Sequence, residues 1–203
     1  YTYPAPNFEW QHDMSPPDGK FMNIDTNILE KISIVPRPIQ QPHPPLWQVV
    51  DSPSSIEWAA QNGINTIMWI PTVQSLKKRF EIYKNARSKK EKRNVELGDG
   101  ICLVRDMFIA DSMDEAREKA GEQMVNYMRW VCHWRGLGTH MNPGEELPKT
   151  KNKLDLLSYD FLHKRNMLFG TVEYVIEKIE ELKKELNLQN LQVWSNFPGV
   201  KHE

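Results

Sequence analysis

The sequence predicts an α/β fold built on a parallel sheet. Three observations carry this expectation. After Pro45, strand-like apolar runs alternate with helix-like amphipathic runs. The first such strand, Leu46–Val50, leads directly into a hydroxyl-rich turn and a helix start, Asp51-Ser52-Pro53-Ser54-Ser55-Ile56-Glu57. Four βα-type strands follow one another in series, which implies parallel pairing with right-handed crossovers.

The elements follow in order. Residues 1–45 are rich in Pro, Asn, Asp and Gln and read as a lead-in loop with one or two short extended pieces. Pro36, Pro38, Pro42, Pro44 and Pro45 forbid regular helix there and remove ladder donors. Residues 46–203 carry the alternating pattern. Ser55–Asn62 is predicted helical, ended by Gly63, with Ser54 and Glu57 at capping-box spacing. Ile64–Ile70 is the second strand. Val73–Ser88 is a helix with apolar Leu76, Phe80, Ile82 and Tyr83. Ile101–Ala110 is the third strand. Ser112 and Glu115 cap a helix that runs to about Trp134. Residues 135–167 hold Gly136, Gly138, Pro143, Gly144 and Pro148, an insertion too long for an ordinary connection. Val172–Leu186 is a strongly amphipathic helix, and Leu191–Asn196 the fourth strand.

Composition narrows the function class. The 203 residues carry a formal charge of −1, so no global field draws the chain to nucleic acid or to an anionic membrane. The basic run from Lys77 to Arg93 is broken by Glu81 and Glu91 and reads as a solvated helix face. No stretch approaches a membrane span or a signal peptide. Cys102 and Cys132 lie on different predicted elements, which suits free thiols in a reducing compartment. The chain opens on Tyr1-Thr2-Tyr3-Pro4 without an initiator Met, as expected of a processed product or a piece of a larger polypeptide.

Ser52, Ser54 and Ser55 surround a helix start, where free N–H groups and hydroxyls suit a phosphate. The same residues also suit an ordinary well-capped βα turn. Arg105 lies inside the third strand, pointing either to a polar site or outward along a helix. His133 and His140 have no strong metal spacing and read as solvated or capping side chains. No metal site is expected.

The run Pro44–Gly63, with its Pro-Pro strand, Asp51-Ser52, Ser54-Ser55 and Glu57-Trp58-Ala59-Ala60, resembles the flavin-phosphate segment of the bacterial luciferase-like flavin-dependent monooxygenases. Leu103–Asp111 and Phe169-Gly170-Thr171-Val172-Glu173 resemble later segments of that family, with Val172 where Pro is usual. The resemblance implies a TIM (β/α)8 barrel, of which this chain covers approximately strands five to eight. It implies reduced FMN delivered by a separate flavin reductase, with a deazaflavin less favoured. Molecular oxygen and a small organic substrate would complete the reaction. Completing the barrel calls for a missing N-terminal half or a partner subunit, in a homo- or heterodimer, and a cytoplasmic setting. It assigns Ser52 and Ser55 to the phosphate, beside Ser54, and matches Asp51 to an acidic position expected to pair with an Arg outside this chain. Trp69 stands where a ring could meet the flavin or pack in the core. The insertion resembles an active-site loop, or else is a surface excursion or subunit contact. No catalytic residue is assigned. The alternative is a non-catalytic flavin-binding or subunit-interaction protein derived from the same barrel.

Overall fold

The computed structural model describes residues 21–23, 25–26, 28–31, 35–149, 152–196 and 198–200. The chain divides into two compact units between Pro44 and Pro45. In the first unit, β1 (Met22–Asn23) pairs antiparallel with β2 (Ile28–Leu29). Asn23 Oδ1 closes the turn by accepting from the N–H groups of Asp25 and Thr26, both at 3.1 Å.

The second unit is a five-stranded parallel sheet with helices between its strands. The strands are β3 (Trp47–Val49), β4 (Asn65–Trp69), β5 (Ile101–Ile109), β6 (Met167–Gly170) and β7 (Asn190–Trp194). The α-helices are α1 (Pro53–Gln61), α2 (Val73–Glu91), α3 (Met113–Arg135), α4 (Tyr159–Asn166) and α5 (Val172–Leu186). β5 is the centre: β4 and β7 both register against Cys102–Val104, so they lie on its opposite edges. Asp106 pairs with both Met167 and Trp194, so β6 takes up the β4 edge where β4 ends.

The handover at the end of β4 has a visible cause. Ile70 follows the strand with φ +77, a left-handed conformation rare for a β-branched residue. The Asn166 side-chain amide donates to its carbonyl at 2.6 Å, and Arg105 Nη2 donates to the next carbonyl, Pro71, at 2.7 Å. The chain is thereby turned out of the sheet, and β6 enters.

Side chains alternate across the strands, and each face has its own core. Met68, Ile101 and Leu103 pack with Val50, Ile56, Phe80 and Leu182 beneath α1, α2 and α5. On the other face Trp69 and Phe108 join Met124, Met128, Leu162 and Phe169 from α3, α4 and β6. That second face stays open around β3, where Trp47 is 42% and Val49 60% exposed.

Two sequence expectations change. The sheet of this unit has five strands rather than four, because β6 is four buried residues, too short to show a strand period. The 135–167 segment is not a surface excursion: it contains α4 and two 3-10 turns, Leu137–His140 and Lys153–Leu156. Leu137, Met141, Leu157 and Leu162 within it are buried. Its glycines and prolines masked the short helical pieces between them.

Candidate active site

The β3–α1 turn brings Asp51, Ser52, Ser54 and Ser55 together. Ser52 is the N-cap of α1, and its Oγ accepts from the Ser55 N–H at 3.2 Å. Pro53 takes the first helical position, where a missing N–H costs nothing. The capping pair is therefore Ser52 with Ser55, not Ser54 with Glu57. Glu57 instead accepts from Gln61 Nε2 at 3.1 Å. The hydroxyls are wired together: Ser52 Oγ lies 3.0 Å from Ser54 Oγ, and Ser55 Oγ donates to the Ser52 carbonyl at 2.8 Å. Of the first-turn N–H groups, that of Ser54 has no acceptor among the described residues.

Asp51 finds its partners inside this chain, contrary to the sequence expectation. Arg79 Nη1 lies 2.9 Å from Asp51 Oδ1 and also donates to the Asp51 carbonyl. Arg135 Nη1, at the end of α3, lies 3.5 Å from Asp51 Oδ2. Nothing in the local sequence places those two arginines near residue 51; only the packing of α2 and α3 does. One carboxylate against two guanidiniums leaves the turn net positive. Asp51, Ser52, Ser55, Arg79, Gly138 and Thr139 line an open cavity of about 370 Å³. Hydroxyls, a free helix N–H and guanidinium donors are the set a phosphate group takes.

Trp69 lies apart from this turn, in an aromatic cluster. Its ring centroid is 5.4 Å from Trp194 and 6.1 Å from Tyr127, which in turn stacks on Trp130 at 6.3 Å. Trp69 is thus packed, yet its indole N–H also has a polar role, donating to Asp106 Oδ2 at 3.1 Å. Asp106 is 4% exposed and its Oδ1 has no partner. Burial pushes its pKa up to about 6, against the pull of the Trp69 hydrogen bond and the Arg105 charge. α3 joins the two places, carrying Tyr127 at the aromatic cluster and Arg135 at the serine turn.

Sequence reasoning missed Asp106. The available signal was a charge in the middle of the apolar run Leu103–Phe108. Asp106 and Arg105 are neighbours on β5 and so point to opposite faces. Arg105 faces the helix layer, with its guanidinium 2% exposed as a residue and bonded to carbonyls rather than to a carboxylate. His140 is also a correction: it is fully buried, neither solvated nor capping. Its Nδ1 faces the Asn166 amide nitrogen at 2.9 Å, which makes Nδ1 the acceptor and leaves the proton on Nε2. Burial and the nearby Arg105 and Arg165 pull its pKa down to about 4. His133 is exposed, edge-on to Trp134. Among the described residues, no three His, Cys, Asp or Glu side chains group as metal ligands, and both cysteines are free thiols.

A sequence model of the luciferase-like monooxygenases matches residues 10–188. This chain belongs to the luciferase-like monooxygenase family. A relative is the oxygenase component of the flavin-dependent trigonelline monooxygenase of Acinetobacter baylyi, 27% identical over 154 residues, which are 74% of this chain and 42% of the relative. Among solved structures, the oxygenating constituent of 3,6-diketocamphane monooxygenase from Pseudomonas putida, a type II Baeyer-Villiger monooxygenase in complex with FMN, superposes with a TM-score of 0.60 at 18% identity. That match covers 75% of this chain and 42% of the other. A monooxygenase from Streptomyces bottropensis gives a TM-score of 0.56 at 19% identity, over 80% of this chain and 44% of the other. At such identities the structures establish the α/β fold with its parallel sheet. This family member spans less than half the length of the curated relative and of both structures. No helix among its described residues is long and apolar enough to cross a membrane.

Proposed function

We propose that this chain is the flavin-phosphate-binding part of the oxygenase component of a two-component monooxygenase. The observation that carries the reading is the serine turn at a helix N-terminus with Arg79 and Arg135 beside it, in a member of the luciferase-like family. In this reading Ser52, Ser54, Ser55 and Arg79 hold the phosphate of FMN, and Asp51 fixes the two arginines. Bound reduced flavin, supplied by a reductase, would activate molecular oxygen toward a small organic substrate. The sheet corresponds to the later strands of a (β/α)8 barrel, with β6 an addition. The open apolar face around Trp47 and Val49 supports completion by further barrel strands, from the same polypeptide or a partner.

The protein's own share would lie with the aromatic cluster and Asp106. Rings of Trp69, Tyr127 and Trp194 gather at the strand ends beside Asp106, whose buried Oδ1 can hold or release a proton near neutrality. Aromatic faces above a buried carboxylate suit a planar, cationic substrate better than a neutral aliphatic one.

The test is FMN binding followed by flavin fluorescence, with the chain and its Ser52→Ala/Ser55→Ala variant. Saturable binding that weakens about tenfold in the variant is expected from the loss of charge-assisted hydrogen bonds. Equal affinity in both proteins would sink the phosphate assignment. A deazaflavin titrated in parallel separates the two cofactors. Oxygen consumption that depends on reduced FMN and on added substrate separates an enzyme from a non-catalytic flavin-binding or subunit-interaction protein.

A further inference from the structure

On the helix side of the sheet, α2, the α4–β6 junction and α5 enclose a cavity of about 520 Å³. It shares no lining residue with the serine-turn cavity. Lys77, Arg105, Lys164, Arg165, Lys178 and Lys184 line it, against two carboxylates, Glu181 and Glu185. Three of these cations are spoken for: Lys77 pairs with Glu185, Lys178 with Glu181 at 2.8 Å, and Arg165 with Glu145. Arg105, Lys164 and Lys184 have no carboxylate within ion-pair distance among the described residues.

Arg105 is the unusual one. It is 2% exposed and sits in the interior of the central strand. Its neutralising neighbour in sequence, Asp106, is turned to the opposite face and bonded to Trp69. Two carbonyl oxygens, Val104 at 3.2 Å and Pro71 at 2.7 Å, are its acceptors. A guanidinium carries five N–H donors, so the fork is left under-used: Asp106 acts on the charge through the strand, but no carboxylate is bonded to the guanidinium. On the same wall Arg165 Nε is buried with no hydrogen-bond partner. Burial pulls the Arg105 pKa down to about 10, so it keeps its charge at neutral pH. A buried cation without a carboxylate is costly unless an anion meets it.

We propose that this cavity is a second anion site, separate from the flavin-phosphate turn, that takes a phosphate-class anion. Arg105 forms its floor, and Lys164 and Lys184, both exposed, form its rim. The fork of a guanidinium matches two oxygens of one phosphate, and the rim lysines suit a second phosphoryl group. A diphosphate ester or free pyrophosphate would fill both.

The experiment is calorimetric titration of the full chain with sodium pyrophosphate and with inorganic phosphate at constant ionic strength. Four variants run beside the wild type: Lys164→Ala/Lys184→Ala, Arg105→Met, Ser52→Ala/Ser55→Ala, and Lys89→Ala/Lys90→Ala as a charge-matched control. Saturable pyrophosphate binding is expected, weakened about tenfold or more by Lys164→Ala/Lys184→Ala and by Arg105→Met, retained in Ser52→Ala/Ser55→Ala, where the serine turn no longer contributes, and changed less than about twofold by Lys89→Ala/Lys90→Ala. The rim variant changes only exposed side chains, so it decides the matter even if Arg105→Met does not fold. Three results would overturn the site: no saturable binding by wild type, equal loss in the Lys89/Lys90 control, or loss confined to the serine variant. The last would place the anion at the flavin turn instead.

Discussion

The indole Nε1 of Trp69 donates to Asp106 Oδ2 at 3.1 Å, while Asp106 Oδ1 is buried without a partner. That bond is the largest of the effects that oppose burial in setting the acidity of Asp106, ahead of the charge of Arg105 and the backbone N–H of Asp106 itself. Trp69→Phe keeps an aromatic ring at the position and removes the donor. The Asp106 pKa is then expected to climb further above about 6. A carboxyl-carbon NMR titration reads it directly, and an unchanged value would mean that the bond is not formed in solution.

Asp106 and His140 make opposing demands on stability. Folded Asp106 keeps its proton up to about 6, whereas the unfolded group loses it near 3.8, so its contribution falls as pH rises through that window. Folded His140 stays neutral down to about 4, whereas the unfolded group charges near 6.5, so its contribution falls as pH drops through that window. Each slope is worth on the order of 3 kcal/mol, and they largely cancel. Asp106→Asn should therefore expose a steady loss of stability from pH 6.5 to 4, and His140→Gln a gain over the same range. Denaturant midpoints measured across that range check both. Parallel profiles in wild type and both variants would refute the balance.

The pair Asp51–Arg79 is expected to matter for charge more than for stability. Asp51's side chain is 46% exposed, and pairs of this kind contribute little, under about 1 kcal/mol. Asp51→Asn removes the one carboxylate at the serine turn, yet Arg79 stays anchored on the residue-51 carbonyl. Affinity for FMN should rise several-fold at low salt in this variant and fall in Arg79→Met. Fluorescence titrations at two salt concentrations would show whether the two changes run in opposite directions as expected.

Gly98 is required by its neighbours. Its φ is +84, and an added Cβ would lie 2.1 Å from the Asn187 carbonyl oxygen, a backbone atom that cannot swing away. Asn187 is itself fixed, left-handed at the end of α5, with its side-chain amide donating to the Leu97 carbonyl at 2.7 Å. Gly98→Ala should cost about 2–4 kcal/mol, from combined backbone strain and clash. Gly138→Ala, which meets nothing within 4 Å and has no positive φ, is the control, with a change under about 1 kcal/mol expected. Thermal or urea unfolding of both separates them.

Much of the fold is legible along the chain because it depends on neighbours in sequence. Alternation and capping residues mark β4, α2, β5, α3 and α5 to within a few residues, and Ser112 caps α3 as its spacing predicts, accepting from Glu115 N–H at 3.1 Å. The hydroxyl turn after β3 is legible for the same reason: a strand, a helix start and its serines are local. β6 and α4 were not, since Met167–Gly170 is too short to show a period and the glycines and prolines before it suggest only a loop.

The sequence by itself determined the parallel α/β order, the serine turn and the family. The tertiary structure alone decided which charges meet. Arg79 and Arg135 reach Asp51 from 28 and 84 residues away in the chain. Asp106 loses water beneath Trp69, and Arg105 is buried beside a cavity instead of an acid. Hydrophobic period and capping are short-range and periodic, so they are written in local order. The proton affinity of a carboxylate and the partner of a guanidinium depend on burial and on atoms a few ångströms away in space, and no local pattern records them.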